Sequence, residues 1–272
     1  MSLSGSLLNA FPLSQPIGVF DSGLGGLTVL QALRARLPGE DFIYFADTHH
    51  LPYGDKSESF IQARSKAIAT ALTERGAKAV VVACNTATAA AAELIRAAIP
   101  KPVVALEPAV KPAAALTQSG VLGVLATTRT LVSRRFAHLV ETYAHHLFVL
   151  PQACPGLAEA IEAEGPHSAS VERLLDIYVP PLARAGADVV VLGCTHYPWV
   201  KAGIAARLPS GVTLVDTGEA VARQVERRLM RESGLGGRGQ LQLMTSGDPV
   251  HVRNTIARLC GVSMHVTHWD IR

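Results

Sequence analysis

Along most of the chain, short apolar runs alternate with longer stretches in which apolar residues recur every three or four positions. The first run, "IGVF" (17–20), leads into a glycine-rich turn, "DSGLGG". Leu27, Leu30, Leu33 and Leu37 then mark one helix face that stops at Pro38-Gly39. The same reading predicts a strand over 42–46, a helix over 57–75 closed by Gly76, a strand over 79–83 and an alanine-rich helix over 87–98. A strand over 102–106 follows. The alternation then restarts, with a strand at 120–126, a helix at 131–145, a strand at 147–150 and helices at 157–164 and 169–184. The last of these is bent or broken at Pro180-Pro181. Beyond it come a strand at 188–193, a helix at 198–208 and a strand at 212–216. A final section adds a helix (217–232), a strand (241–245), a helix (249–260) and a short strand in "SMHVTHW".

Strands that alternate with helices imply an α/β fold with mostly parallel sheets. The pattern also repeats itself. "GAKAVVVACNT" (76–86) and "GADVVVLGCTH" (186–196) share a Gly-Ala entry, two valines and a cysteine exit, and Cys84 and Cys194 are 110 positions apart. "IGVFDSG" (17–23) matches "LGVLATT" (122–128) at an offset of 105, pairing Gly18 with Gly123. Two offsets so close predict two similarly built α/β lobes. The expected boundaries are 1–106 with 219–272 for the first lobe, in which 1–16 is a loose tail, and 107–218 for the second. The C-terminal section has no partner in the second half and is assigned to the first lobe.

Composition narrows the class. The 272 residues are 49% hydrophobic and only 17% charged, which suits packed helices on buried parallel strands. A net charge of +3 without a Lys/Arg run argues against a nucleic-acid surface. No Lys or Arg precedes Arg34, so a secretory leader is not expected, and the apolar run Ala79–Ala92 is too short to span a membrane. The four cysteines, Cys84, Cys154, Cys194 and Cys260, are far apart and show no CxxC spacing. They suggest free thiols in a reducing compartment, with the cytoplasm expected. "GLGG" has Thr28 where a dinucleotide fingerprint needs its third glycine.

Ligands of open α/β sheets bind beyond the carboxyl ends of the strands. Those ends here read Asp21-Ser22-Gly23, Cys84-Asn85-Thr86, Thr127-Thr128 and Cys194-Thr195-His196. They are small hydrogen-bonding groups, each expected to open a helix whose free N–H groups suit a carboxylate or phosphate. A lone buried cysteine is commonly only a small hydrophobe. Two at equivalent ends of duplicated halves ask for more. If the lobes face each other across a cleft, a ligand there meets one thiol on each side. One thiolate removes a proton from a carbon while the other thiol supplies one to the opposite face, which inverts a stereocentre. Thiols suit this dual role because their ordinary pKa, about 8.5, makes both states accessible near neutrality.

Together, "DSGLGGLTV", "ADTHHLPYG", "ACNTATAAA" and "LGCTHYP" resemble the glutamate racemases, over a span from about Ile17 to the "SGDP" region. The resemblance implies cofactor-independent interconversion of L- and D-glutamate that supplies D-glutamate for peptidoglycan, without pyridoxal phosphate, metal or nucleotide. It implies that Cys84 and Cys194 are the acid/base pair, Cys84 serving D-glutamate and Cys194 serving L-glutamate, with Asp21 and His196 assisting them. It implies substrate contacts at Asp21, Ser22, Tyr53, Gly54, Asn85, Thr86, Thr127, Thr195 and His196, and an acidic residue near the second cysteine at Glu162. The expected partners are glutamate and a second copy of the chain in a homodimer, with neither nucleic acid nor membrane. Two departures stand out: Glu159 replaces a proline of the family pattern, and Arg129, expected to point to solvent, replaces a glycine in "ATTRT". His49-His50 are read as loop surface, and Cys154 and Cys260 as structural.

The residues alone leave other readings open. A related racemase acting on aspartate or a hydantoin would carry the same thiols. A thiol hydrolase built on Cys194 and His196 would leave Cys84 unexplained. Cys84, Cys194 and His196 number enough ligands for a catalytic zinc. A two-lobed anion-binding protein would share the organisation without needing paired thiols.

Overall fold

The computed structural model describes residues 15–271. Most of the segment read as a tail, residues 1–14, lies outside the described residues. The described chain forms two compact units. One comprises the chain up to Leu106 together with the chain from Gly218 onward, and the other Glu107–Thr217.

The first unit is built on β1 (Ile17–Asp21), β2 (Phe42–Ala46), β3 (Ala79–Val82) and β4 (Val103–Ala105). The second is built on β5 (Val121–Ala126), β6 (Phe148–Ala153), β7 (Val189–Leu192) and β8 (Thr213–Val215). β9 (Leu241–Thr245) and β10 (Val266–His268) return to the first sheet beside β2. The sheet orders are therefore β10-β9-β2-β1-β3-β4 and β6-β5-β7-β8. Every pairing in both sheets is parallel. β1, β2 and β3 are buried along their whole length, as strands covered by helices on both faces must be.

The two sheets share an order, second-first-third-fourth, and a register. Gly18 lies opposite Val80 in one and Gly123 opposite Val190 in the other, so the two offsets seen in the sequence are the offsets of structurally matched strands. The Gly-Ala entry has the same cause in both. Gly76 and Gly186 end helices Glu58–Glu74 and Pro180–Arg184 in a left-handed conformation, at φ 92° and 78°. A side chain is strained there. The next N–H, of Ala77 or Ala187, then bonds back to Leu72 or Leu182, and that leucine packs where Gly18 or Gly123 lacks a side chain.

Some elements differ from expectation. Helix Val110–Leu116 was not predicted, because Pro112 interrupts its apolar spacing; in the first turn a proline costs no hydrogen bond. The helix expected over 131–145 is two, Thr128–Leu131 and Arg134–Tyr143, because Ser133 caps the second through Phe136 N–H. β6 runs on through Pro151. The Phe148 and Cys154 N–H groups both face β5, so Pro151, out of step with them, faces outward and leaves no ladder bond unmade. The helix expected from 198 begins as a 3-10 turn, Tyr197–Val200, before the short helix Lys201–Ala205. Among the described residues no helix is long and apolar enough to cross a membrane.

Candidate active site

In a sheet of this order the chain leaves β1 toward β2 on one side and re-enters at β3 on the other. The gap between β1 and β3 is therefore the topological switch point where open α/β sheets take ligands. The β5/β7 gap is its counterpart in the second unit. Asp21-Ser22 and Cys84-Asn85-Thr86 flank the first gap, and Thr127 and Cys194-Thr195-His196 the second. Cys84 and Cys194 occupy matched places: Ala83 N–H bonds Phe20 O on β1, and Gly193 N–H bonds Leu125 O on β5.

At the first gap Asp21 is fully buried. Its carboxylate accepts from Ser22 N–H (2.7 Å) and Gly26 N–H (2.6 Å), which folds "DSGLGG" into a tight turn around it. A side chain at Gly26 would meet Asp21 Cβ and Tyr44 Oη at 2.9 Å, so the turn closes only around glycine. Ser22 Oγ lies 3.3 Å from Asp21 Oδ1 and 3.6 Å from Cys84 Sγ, and so stands between carboxylate and thiol. Cys84 caps helix Asn85–Ala98, its sulfur accepting from Ala87 N–H at 3.5 Å. A thiol there feels the positive end of the helix, which favours the thiolate. Asn85 and Thr86 are buried in the first turn, and Asn85 Oδ1 has no hydrogen-bond partner among the described residues. A buried acceptor left unmet is costly, and a ligand's N–H would relieve it.

The second gap is built differently. Cys194-Thr195-His196 opens onto the 3-10 turn Tyr197–Val200 rather than directly onto an α-helix. The expectation that all four strand-end motifs open helices fails here. Side chains take the helix's place: Cys194 Sγ lies 3.6 Å from His196 Nδ1, and His196 Nε2 lies 2.6 Å from Glu162 Oε1. All three are buried. Burial disfavours the charged imidazole, but the bonds to Cys194 and Glu162 outweigh it and hold His196 well above the ordinary imidazole value. A neighbouring cationic imidazole is a recognised device for activating a thiol. Thr195 is buried beside them. Thr127 Oγ1 caps the turn after β5, accepting from Thr130 N–H and lying 2.9 Å from Thr130 Oγ1.

The structure adds detail at three positions named from the sequence. Tyr53 is buried with its hydroxyl turned inward, donating to Asp47 Oδ2 at 2.7 Å, so the phenol is not presented to a ligand; Gly54 beside it has open space in front of its Cα. His50 is half-buried with Nδ1 3.1 Å from Asp47 Oδ1, so only His49 is an exposed loop residue. Arg129 is half-buried, within a helical turn that packs on β6. Cys154 and Cys260 are not at either gap. Burial pushes their thiols up to about 12 and about 11, which suppresses the reactive thiolate. Asp47 and Arg64 were not singled out from the sequence, and nothing in their local spacing marks them. Among the described residues no group of three or more His, Cys, Asp or Glu is arranged to hold a metal ion.

Known proteins resemble this chain along most of its length. The pattern of the Asp/Glu/Hydantoin racemase family matches residues 25–225. A glutamate racemase of Pseudomonas paraeruginosa is 49% identical over 261 residues, covering 95% of this chain and 98% of that protein. Among solved structures, a glutamate racemase isoform of Bacillus anthracis superposes with a TM-score of 0.85 at 30% identity, covering 94% of this chain and 98% of that one. The Escherichia coli glutamate racemase in complex with L-glutamate superposes with a TM-score of 0.81 at 32% identity, with the same coverage.

Proposed function

This chain belongs to the Asp/Glu/Hydantoin racemase family and, within it, to the glutamate racemases, and from that membership we propose that it interconverts L- and D-glutamate by proton transfer between two thiols, Cys84 and Cys194. The observation that carries the two-thiol reading is their equivalence: each follows the third strand of a sheet of the same order and register, at the switch point. Interconversion of mirror images asks for the same kind of group on either side of one carbon, and a duplicated fold supplies it.

In this reading one thiolate takes the α-proton as the other thiol gives one to the opposite face, and the roles swap for the other enantiomer. The hard step is carbanion formation beside the α-carboxylate, which needs donors aimed at that carboxylate. Ser22 and Thr127 head matched strand ends and are assigned to it. Asn85 Oδ1, the unmet acceptor, is assigned to the ammonium group. Thr86 and Thr195 complete the polar lining, and the backbone of Tyr53-Gly54 is taken to meet the substrate in place of the Tyr53 phenol. Asp21 holds Ser22 and the turn at the first thiol, and His196 with Glu162 holds the second. A reaction that runs on two reduced thiols belongs in a reducing compartment, and we place it in the cytoplasm, as a source of D-glutamate for peptidoglycan.

Pure L-glutamate, incubated with the enzyme without added cofactor, is expected to lose its optical rotation completely, and L-aspartate to do so far more slowly. Retained rotation with glutamate sinks the reading; faster loss with aspartate moves the chain to a different substrate within the same family. A second expectation separates Thr127 from its unusual neighbour. Thr127→Ala should cut kcat/KM by about 10²-fold, of which the lost cap explains only about 1 kcal/mol of stability. Arg129→Ala should change kcat/KM by less than about 3-fold. The reverse ranking in steady-state assays would assign carboxylate recognition to the guanidinium.

A further inference from the structure

The loop between β2 and helix Glu58–Glu74 carries Tyr53 and Gly54, yet it has little structure of its own. Two three-residue 3-10 turns, Thr48–His50 and Tyr53–Asp55, are held by His50 N–H to Asp47 O, Leu51 N–H to Thr48 O and Lys56 N–H to Tyr53 O. What fixes it is one side chain at its root. Asp47 is fully buried, and its two oxygens face groups from the loop, from the following helix and from the segment past β9. Tyr53 Oη donates at 2.7 Å and His50 Nδ1 lies at 3.1 Å, both from the loop. Arg64, from the following helix, donates through Nε at 2.9 Å and Nη2 at 2.7 Å. Ser246, just past β9, is near enough to favour its charge further.

The same loop is clasped to the C-terminal section. Thr48 Oγ1 lies 2.7 Å from Thr245 Oγ1, His49 N–H donates to Ser246 Oγ at 3.1 Å, and Arg64 Nη1 donates to the carbonyl of Ile271. At the matched place in the second unit, among the described residues, no carboxylate stands. Asp47 N–H bonds Asp21 O as Cys154 N–H bonds Ala126 O, so Cys154 is the counterpart of Asp47, and it is a buried thiol without an ion pair. The hub therefore belongs to the unit that carries the extra β9–helix–β10 section. A buried ion pair contributes little net stability against an apolar replacement, so its presence points to a geometric task.

We infer that Asp47 is the positioning residue of the substrate loop: with Arg64 it holds Tyr53-Gly54 in the pose that meets glutamate, and it ties that pose to the C-terminal section. This rests on the glutamate reading above. The burial of Asp47 opposes its charge, but the bonds from Arg64 and Tyr53 prevail and hold it below the usual carboxylate range, so the hub stays ionised at neutral pH.

The test compares wild type, Asp47→Asn, Tyr53→Phe and the double variant, by steady-state kinetics in both directions and by hydrogen exchange over residues 47–57. Wild-type turnover of glutamate is measured first; its absence would defeat the functional reading, and the exchange data would still judge the hub. Expected are a KM raised about 10-fold or more in Asp47→Asn and in Tyr53→Phe, kcat within about 3-fold, faster exchange confined to 47–57, and a double variant no worse than the poorer single. A role in general stability alone would not split KM from kcat. Should Asp47→Asn fail to fold, Tyr53→Phe, which removes one hydroxyl and leaves the ring packed, carries the test by itself. Unchanged KM with unchanged exchange in folded protein overturns the inference, as does a fall in kcat at constant KM.

Discussion

Cys84→Ala and Cys194→Ala are each expected to lose racemisation by about 10³- to 10⁴-fold, or about 4–5.5 kcal/mol of transition-state stabilisation, while each keeps half of the chemistry. A variant with one thiol still has a base on one face of the α-carbon. That base removes the proton of the enantiomer presented to it, exchanges with solvent and returns a deuteron to the same face. In heavy water each variant should therefore label one enantiomer without inverting it, and the two variants should label opposite enantiomers. The family resemblance assigns L-glutamate to the thiol left in Cys84→Ala and D-glutamate to the thiol left in Cys194→Ala. Mass and chirality of the recovered amino acid are read together. Labelling of the same enantiomer by both variants would show that the thiols do not act on opposite faces, and the two-base mechanism would fall.

The parts of this molecule legible in the sequence are those written in local pattern. Buried parallel strands read as apolar runs. Gly76 and Gly186 could be matched by eye because the helix end they close needs a left-handed residue both times. The two cysteines stood out because the repeat placed them at the same exit, and the register confirms that the matched strands are equivalents. What the pattern did not carry was any interaction between segments. Glu162 and His196 are 34 positions apart, and the family resemblance flagged the acidic position without saying what it touches. Asp47 and Arg64 lie 17 positions apart on a loop and a helix, and a lone Asp and a lone Arg in such places read as solvated surface. Tyr53 was legible as a candidate, but the inward turn of its hydroxyl was not, because that orientation depends on a carboxylate 6 positions away that carries no local signal. The repeat also misled where it was pressed too far. It predicted matched surroundings for the two thiols, whereas the second opens onto a 3-10 turn and is flanked by His196 with Glu162.

That asymmetry yields the last expectation. Cys84 rests on a helix N-terminus and Ser22, Cys194 on His196 and Glu162, so removing the Glu162 charge should impair one thiol and spare the other. Steady-state rates cannot display this. L- and D-glutamate have equal free energies, so any variant must lose the same factor of kcat/KM in both directions. The single-thiol variants remove the constraint, because each reports one proton transfer alone. Glu162→Gln keeps the size and one hydrogen-bonding oxygen of the side chain but leaves His196 without the negative partner that holds its proton. Its imidazole should then fall from its raised value, since burial still opposes the charge and, of the two groups that support it, only Cys194 is left. In the Cys84→Ala background, where Cys194 does the exchange, Glu162→Gln should slow deuterium labelling by about 10²-fold, the scale of one assisted proton transfer. In the Cys194→Ala background, where Cys84 does it, labelling should change by less than about 3-fold. Imidazole titration by NMR in both backgrounds checks that the His196 proton was lost as argued. Equal slowing in the two backgrounds would mean that Glu162 acts on the fold or on substrate binding rather than through His196 on Cys194, and the assignment of that buried pair to the second thiol would have to be given up.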